Sequence, residues 1–200
     1  MTSRVQPCCV ALREFFTARE LAGLRDFVLN REPQFDASYV VAPGGSDQVV
    51  NSDHRRSRVL FDTGRFGRLV TDRVLFHLSF ITRKLRRTAF RVSDLEAQIT
   101  ATNDGDFFGV HSDNSEPPYE ARELSFVYYF HREPKPFTGG ELRLYRPAAP
   151  GDPTHYETVV PEQNTIIVFP SSLLHEVLPV KCPSRVFADS RFTLNGWLHR

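Results

Sequence analysis

A histidine and an aspartate lie two residues apart in the stretch GVHSDNSEPP, which covers residues 109–118. Side chains at positions i and i+2 of a β-strand point to the same face of the sheet, so His111 and Asp113 could bind one cation together. The same pair could equally be solvated at the end of a strand. A single short motif does not separate these two interpretations, so the rest of the chain must decide between them.

A second histidine and an arginine extend this pair to a candidate catalytic site. His175 follows the turn FPSS and begins a predicted strand. Two histidines and one carboxylate form the facial triad of non-haem Fe(II) oxygenases, which leaves three octahedral positions open. In the last predicted strand, strict alternation places Arg191, Thr193, Asn195 and Trp197 on one face. An arginine inside a barrel is costly unless it meets a buried anion, so Arg191 predicts a dicarboxylate that reaches from the metal to its guanidinium group.

The elements before residue 92 are predicted to be two helices and two short strands. EFFTARELAGLRDFVLNRE reads as a helix that begins with a capping box of Thr17 and Glu20. GRFGRLVTDRVLFHLSFITRKLRR has the spacing of a second amphipathic helix, in which His77 is interpreted as a packing or surface residue. ASYVV and SRVLFD read as short strands.

From about residue 92 the pattern changes to short β-like runs separated by turn signals. The runs are LEAQITAT, DFFGVHSD, LSFVYYF, ELRLY, YETVV, TIIVFP, HEVLPV and RFTLNGWLH. Eight strands at this spacing indicate a sandwich or barrel. We therefore expect a mainly β (α+β) fold with N-terminal helices, in one domain over residues 1–200. Its helical and strand support region would cover about residues 1–91, and its barrel core about residues 92–200.

The composition limits the classes of partner. The chain has 25 Lys+Arg against 24 Asp+Glu, a formal net charge of +1, which gives no electrostatic case for nucleic acid or an acidic membrane surface. Its three cysteines are too few and odd in number for a disulfide framework, and Cys8 and Cys9 are adjacent. No long apolar run or signal-peptide core stands at the N-terminus. We expect a reduced, cytoplasmic protein; its oligomeric state is left open.

Over about residues 95–199 the chain resembles the Fe(II)/2-oxoglutarate-dependent dioxygenases of the prolyl-hydroxylase-like branch. His111-x-Asp113 followed by Asn114 resembles the first metal motif of that family, and FPSSLLHEV resembles its strand of the distal histidine. FVYYF and TGGELRLY resemble its middle strands, and NGWLH its closing strand. Arg191-Phe192-Thr193 resembles its Arg-x-Ser/Thr motif. The resemblance implies a double-stranded β-helix, a jelly-roll or cupin-like barrel braced by helices.

The resemblance also implies a metal centre and a reaction. His111, Asp113 and His175 would hold Fe(II), while 2-oxoglutarate and O2 would take the open positions, with ascorbate a candidate reductant. The reaction would release succinate and CO2 and hydroxylate an unactivated C–H bond. Hydroxylation is favoured because related halogenases have a small residue in place of Asp113; desaturation and ring formation stay open.

Five residues are expected to bind the cosubstrate, as the resemblance implies. Arg191 and Thr193 would bind the distal carboxylate of 2-oxoglutarate, Tyr129 would touch it, and Leu142 would line the same pocket. Tyr129 as an ordinary core aromatic is the alternative. Relatives often carry a tyrosine shortly before the HxD motif, where this chain has Thr102. The shorter hydroxyl of Thr102 could do part of the same work, or water could replace it.

Two arginines near the C-terminus compete for the carboxylate. Arg185 lies closer behind His175, where many relatives place their basic residue. However, KCPSRVFADS reads as a loop between the last two strands. Arg191 opens the alternating run and shares a face with Thr193, so we assign the cosubstrate carboxylate to Arg191.

Substrate recognition is expected from the segment before the barrel and from the NSEPPYEAR loop. The candidate substrate residues are Arg56, Arg58, Asn114, Arg122 and Trp197. The arginines could instead be surface ion-pair partners. We expect a small-molecule, amino-acid or carrier-tethered substrate. A peptidyl or protein prolyl-hydroxylase-like enzyme is one alternative, and a non-catalytic barrel that binds a metal or anion is another. The remaining histidines, His54, His131, His155 and His199, are expected at the surface.

Overall fold

Two α-helices lie in the first half of the chain, as the sequence predicts. The computed structural model describes residues 7–38, 40–41, 48–115, 117–146 and 155–200. Helix α1 spans Ala18–Leu29 and helix α2 spans Gly64–Lys84, and short 3-10 turns span Glu32–Gln34 and Phe187–Asp189. The predicted capping box is present: the backbone N–H of Thr17 donates to the Glu20 carboxylate at 2.7 Å, and the Thr17 hydroxyl accepts from the Glu20 N–H at 3.3 Å.

The rest of the described chain is mostly short strands. In chain order they are β1 (Val10–Leu12), β2 (Asp36–Ala37), β3 (Val40–Val41), β4 (Gln48–Val49), β5 (Arg55–Arg56), β6 (Arg58–Leu60), β7 (Leu95–Thr102), β8 (Phe107–His111), β9 (Arg122–Phe130), β10 (Thr138–Gly139), β11 (Leu142–Tyr145), β12 (Tyr156–Val159), β13 (Thr165–Pro170), β14 (His175–Val177), β15 (Val180–Lys181) and β16 (Arg191–His199). All eight predicted runs after residue 92 are extended, although HEVLPV is divided between β14 and β15.

Two antiparallel sheets form the barrel. The larger has the order β1-β13-β9-β16-β7-β6-β2, and the smaller has the order β12-β11-β14-β8-β5. Chain neighbours such as β7 and β8 lie in different sheets, which is the alternation of a double-stranded β-helix. Two further pairs, β10-β15 and β3-β4, lie outside these sheets. The predicted fold class, mainly β with a helix-braced jelly-roll barrel, is confirmed.

Strand β16 shows how the barrel separates its two faces. Phe192, Leu194 and Leu198 point to the side where α1 and α2 pack, and they belong to one buried cluster with Leu24 and Val70 of the helices. Leu194 and Leu198 are fully buried, and burial of each such side chain stabilises the fold by about 1.5–3 kcal/mol. The alternate residues of β16 face into the barrel, so helix packing fixes the register of the strand that lines the cleft.

The N-terminal region contributes more to the barrel than the sequence indicates. Strand β1 extends the larger sheet by pairing with β13, and β5 extends the smaller sheet by pairing with β8. Neither strand is predicted from the sequence, because each is very short and depends on its partner. The expectation that His131 is exposed is wrong: only 4% of it is accessible, because the ring of Phe137 packs against it at 5.5 Å. In the part of the chain that the structure describes, no helix has both the length and the apolar character needed to cross a membrane.

Candidate active site

The sheet register brings the three predicted metal ligands together. In the pairing of β8 with β14, His111 lies directly opposite His175, and Asp113 follows two residues after the end of β8. Nε2 of His111 is 3.6 Å from one Asp113 carboxylate oxygen, and Nε2 of His175 is 3.5 Å from the other. One potential ligand atom from each residue lies within 4.8 Å of the others, so the three side chains can share one cation.

Backbone carbonyls orient both histidine rings. Nδ1 of His111 is 2.8 Å from the carbonyl oxygen of Gly109, and Nδ1 of His175 is 2.8 Å from that of Leu173. A carbonyl only accepts hydrogen bonds, so in the neutral ring the proton sits on Nδ1. The lone pair of each Nε2 is therefore free and directed toward Asp113, which is the arrangement found in metal-binding histidines.

A chain of hydroxyls holds the Asp113 carboxylate. Ser125 Oγ donates to Asp113 Oδ2 at 2.6 Å and lies 2.9 Å from Ser171 Oγ. Because the single hydroxyl proton of Ser125 is used on the carboxylate, Ser171 must be the donor in the second bond. The backbone N–H of Asp113 donates to the carbonyl of Ser171 at 2.9 Å. One oxygen is thus held by the protein, and the other is left to a cation.

The electrostatics of the site suit a divalent cation. Burial lowers the pKa of His111 to about 3, and the neighbouring His175 contributes to this shift. Burial alone would raise the pKa of Asp113, but His175, His111 and Ser125 outweigh it and hold the pKa below its ordinary value. Near neutral pH, His111 is therefore neutral and Asp113 is ionised, which is the state in which both bind metal.

Arg191 and Tyr129 each have a buried hydrogen-bond donor that makes no hydrogen bond. Arg191 is only 3% exposed, and its guanidinium carbon lies 5.0 Å from the centre of the Tyr129 ring. The Nε of Arg191 and the hydroxyl of Tyr129 are buried and have no hydrogen-bond partner. No ion pair among the described residues includes Arg191. Burial lowers the pKa of Arg191 and raises that of Tyr129 to about 12. Orphaned donors around a buried cation indicate the place of an anion, so these residues fit a carboxylate of 2-oxoglutarate.

The predicted cosubstrate residues surround this pair. Thr102 and Tyr129 lie opposite Arg191 and Thr193 in the neighbouring strands. Thr102, Leu142 and Thr193 line a cleft that is also lined by the three metal-ligand candidates. The rest of the lining is apolar and polar in equal parts. The apolar side chains are Phe107, Phe108, Phe126, Val127, Phe169, Val177 and Trp197, and the polar ones are Arg55, Arg56, Ser57, Gln98, Thr100, Ser125 and Asn195.

The structure explains why the TGGEL turn has a glycine at position 140, which the sequence alone does not. Gly140 has φ of +70°, and a Cβ there would lie 2.6 Å from Cδ of Arg191. A larger residue would therefore displace the buried arginine as well as strain the turn.

Two of the predicted substrate residues line the cleft and three do not. Arg56 and Trp197 are part of the lining. Arg58 lies away from it and donates to the carbonyl of Glu32 at 2.6 Å. Asn114 donates to the carbonyl of Arg122 at 3.0 Å.

Arg122 is a support for the metal site. It is buried, paired with Glu96, and its guanidinium carbon lies 3.9 Å and 4.0 Å from the rings of Tyr119 and Trp197. Its Nη1 also donates to the backbone carbonyl of Asp113 at 3.4 Å. Arg122 thereby stacks on the indole of Trp197, which lines the cleft together with Asp113.

Sequence reasoning missed Arg55, which lines the cleft beside the metal-ligand candidates. Its guanidinium carbon lies 4.6 Å from the centre of the Phe108 ring, and its Nε donates to Ser57 Oγ at 3.3 Å. Burial lowers its pKa to about 10, while the charge of Asp113 acts in the opposite direction. Arg55 and Ser57 stand two residues apart and both line the cleft, and this alternation was the signal available in the sequence.

Comparison with known proteins now decides the family. The family model of the 2OG-Fe(II) oxygenase superfamily matches residues 97–199. The chain belongs to this superfamily. The match confirms the family resemblance and the enzyme class drawn from the sequence, and it implies Fe(II), 2-oxoglutarate and O2.

A relative and several solved structures agree with this membership. An uncharacterized PKHD-type hydroxylase of Synechocystis sp. is 40% identical over an alignment of 155 residues, which covers 74% of this chain and 51% of that protein. The chain thus spans about half the length of this curated relative. A prolyl-4-hydroxylase of Pseudomonas putida has a TM-score of 0.66 at 20% identity, covering 96% of this chain and 92% of its own. A prolyl hydroxylase of Trichoplax adhaerens, in complex with a hypoxia inducible factor peptide fragment, has a TM-score of 0.70 at 15% identity, with coverages of 96% and 83%. Both structures share the fold.

Proposed function

We propose that this protein is an Fe(II)- and 2-oxoglutarate-dependent hydroxylase. It acts on an unactivated C–H bond of a small-molecule, amino-acid or carrier-tethered substrate and forms succinate and CO2 as co-products. The observation that carries the proposal is the convergence of His111, Asp113 and His175 in one cleft with the buried, unpartnered Nε of Arg191.

The triad supplies a metal site with open positions. The two Nε2 atoms and one Asp113 oxygen would hold Fe(II) and leave three octahedral positions for other ligands. When bound, Fe(II) and 2-oxoglutarate supply O2 activation coupled to oxidative decarboxylation. The chain supplies orientation: Ser125 holds the second carboxylate oxygen, and the carbonyls of Gly109 and Leu173 hold the rings.

Arg191 and its neighbours would bind the far carboxylate of 2-oxoglutarate. Arg191 offers charge and a planar pair of donors, and the hydroxyls of Tyr129 and Thr193 add neutral donors. The aromatic and aliphatic side chains in the lining would limit the access of water to these groups, which would strengthen the electrostatic contacts in the cleft.

The charge of the cleft favours an anionic group on the prime substrate. Asp113 is the only carboxylate among the described residues that line the cleft, and it is committed to the metal. Arg55 and Arg56 lie on the neighbouring edge strand with their guanidinium groups over Phe108 and Phe107. Arg55 and Arg56 make this side of the cleft positively charged, which would complement a carboxylate on the substrate.

A peptide substrate is the second candidate. The similar fold of a prolyl hydroxylase that was solved with a peptide fragment supports this alternative. A non-catalytic metal- or anion-binding barrel is disfavoured because all three ligand candidates are present and correctly oriented.

A mass-spectrometric screen tests the proposal. Amino acids, short peptides and cell metabolites are incubated with the protein, Fe(II), 2-oxoglutarate and O2, and products are searched for a gain of one oxygen. The proposal expects such a product together with one succinate per turnover, and no product with Asp113→Ala. Succinate formation that is equal in the wild type and in Asp113→Ala would contradict it.

Three expectations from the sequence stay predictions. These are the cytoplasmic location, the absence of nucleic-acid and membrane partners, and the use of ascorbate as a reductant.

A further inference from the structure

Cys8, Cys9 and Glu157 form a second cluster of metal-binding side chains, outside the cleft. Cys8 Sγ lies 2.9 Å from one carboxylate oxygen of Glu157, and Cys9 Sγ lies 3.6 Å from the other. One potential ligand atom from each residue lies within 4.8 Å of the others. We propose that these three residues bind one thiophilic divalent cation of the Zn²⁺ class and that this cation joins the two sheets of the barrel.

The position of the cluster explains the joining role. The two cysteines directly precede β1, the edge strand of the larger sheet, and Glu157 lies in β12, the edge strand of the smaller sheet. Cys8 is buried and packs in one apolar cluster with Leu144 of the smaller sheet and Ile167 of the larger. Glu157 and Cys9 are half-buried, so a cation can reach them from solvent.

Arg146 already compensates the charge of Glu157, so the two sulfur atoms must either keep their protons or bind a cation. Arg146 Nη2 lies 2.7 Å from Glu157 and compensates its carboxylate. The contact with Cys8 and burial raise the pKa of Cys9 well above its ordinary value, and the negative charge of Glu157 adds to this. A divalent cation replaces the two thiol protons, forms two metal–sulfur bonds and releases two protons. The net charge is the same before and after, so no buried charge is created.

The ligand set selects the kind of cation. Two thiolates and one carboxylate are typical ligands of Zn²⁺, whereas Mg²⁺ and Ca²⁺ take oxygen ligands. Zinc bonds of about 2.3 Å to sulfur and about 2.0 Å to oxygen place tetrahedral ligand atoms roughly 3.5–3.8 Å apart. Cys9 Sγ already lies 3.6 Å from one Glu157 oxygen, whereas Cys8 Sγ, at 2.9 Å from the other, would have to move away from the carboxylate as the cation enters. Water would take the fourth position.

The absorption of metal-bound thiolates distinguishes cation binding at this cluster from cation binding at the His111–Asp113–His175 triad. The chain has three cysteines, and the third, Cys182, is buried with its sulfur 3.4 Å from the carbonyl oxygen of Asp189. The triad contains no sulfur. A thiolate-to-metal charge-transfer band therefore reports the cluster whether or not the proposed hydroxylase function is correct.

The test is a titration of the metal-free full chain with Cd²⁺ under anaerobic, reducing conditions without added thiol, followed by displacement with Zn²⁺. We expect a near-ultraviolet thiolate band that saturates at one equivalent. Cys8→Ser and Cys9→Ser should each remove most of the band, and Glu157→Gln should weaken Cd²⁺ binding at least tenfold. Cys182→Ser and His175→Ala are the matched controls and should keep the band.

Several results would overturn the proposal. They are a wild-type chain without the band, a band that survives in Cys9→Ser with unchanged affinity, and a band that depends on Cys182. Because Cys9 is half-buried and Glu157→Gln is isosteric, these two variants serve even if Cys8→Ser fails to fold.

Proton release provides a second readout. Two protons should leave per cation bound, so the apparent affinity should fall as the pH is lowered. Release of no protons would place the cation on other ligands.

Discussion

Arg191→Ala should weaken the binding of 2-oxoglutarate strongly. The guanidinium group of Arg191 is buried in the cleft, and no described residue forms an ion pair with it. Arg191 is 3% exposed, so its contact with a carboxylate is protected from water. A charge-assisted bidentate pair of this kind contributes at least about 2 kcal/mol, which corresponds to roughly thirtyfold in affinity. The variant should therefore bind 2-oxoglutarate at least thirty times more weakly, by the same estimate.

The chain offers a matched control in Arg185. Its side chain is 80% exposed and forms an ion pair with Asp104 at 3.1 Å. Exposed pairs contribute about 0–1 kcal/mol, so Arg185→Ala should change 2-oxoglutarate binding little. Arg191→Lys should fall between the two, because it keeps the charge but loses the planar pair of donors.

Anaerobic calorimetric titration of 2-oxoglutarate into the Fe(II)-loaded protein measures these affinities, and succinate formation at varied 2-oxoglutarate measures the apparent KM. A larger effect of Arg185→Ala than of Arg191→Ala would refute the reasoning. It would mean that β16 turns a different face toward the cosubstrate.

Three further predictions concern Tyr129, His111 and Arg55. Tyr129→Phe should weaken 2-oxoglutarate binding and yet raise the free energy of unfolding of the metal-free protein in urea, because a buried hydroxyl without a partner costs about 1–3 kcal/mol; a loss of stability with unchanged binding would make Tyr129 a core residue only. Between pH 6.5 and about 3, His111 is protonated in the unfolded chain but not in the folded protein. The free energy of unfolding of the metal-free protein, measured in urea, should therefore be about 2 kcal/mol lower at pH 5 than above pH 7. His111→Asn should flatten that slope, and an unchanged slope would contradict the shift. Arg55→Gln should lower kcat/KM for an anionic substrate at least tenfold while Arg58→Gln does not; equal effects would remove Arg55 from substrate binding.

Local pattern predicts the parts of the site that lie on long, regular strands. β16 and β7 have the predicted bounds because their alternation matches a sheet with one face against helices and one face in a cleft. The same alternation gives the inward set of Arg191 and Thr193. The HxD spacing likewise follows from strand geometry.

Contacts between distant segments could not be predicted in this way. β5 is two residues long and exists because it pairs with β8, so the inward position of Arg55 depends on tertiary structure. The pairing of Arg122 with Glu96 joins residues 26 apart, and that of Cys8 with Glu157 joins residues 149 apart. No local periodicity records such contacts. Arg58 belongs to the same stretch of the sequence as Arg55 but does not line the cleft.

Anaerobic Fe(II) titration followed by 2-oxoglutarate is the measurement that tests the central claim most directly, since it needs no knowledge of the prime substrate. The account predicts one Fe(II) per chain and a visible metal-to-cosubstrate charge-transfer band when 2-oxoglutarate is added. His111→Ala, Asp113→Ala and His175→Ala should each lose the band while keeping the circular dichroism spectrum of the folded protein. A band of wild-type intensity in any of these variants, or no band in the wild type, would contradict the account.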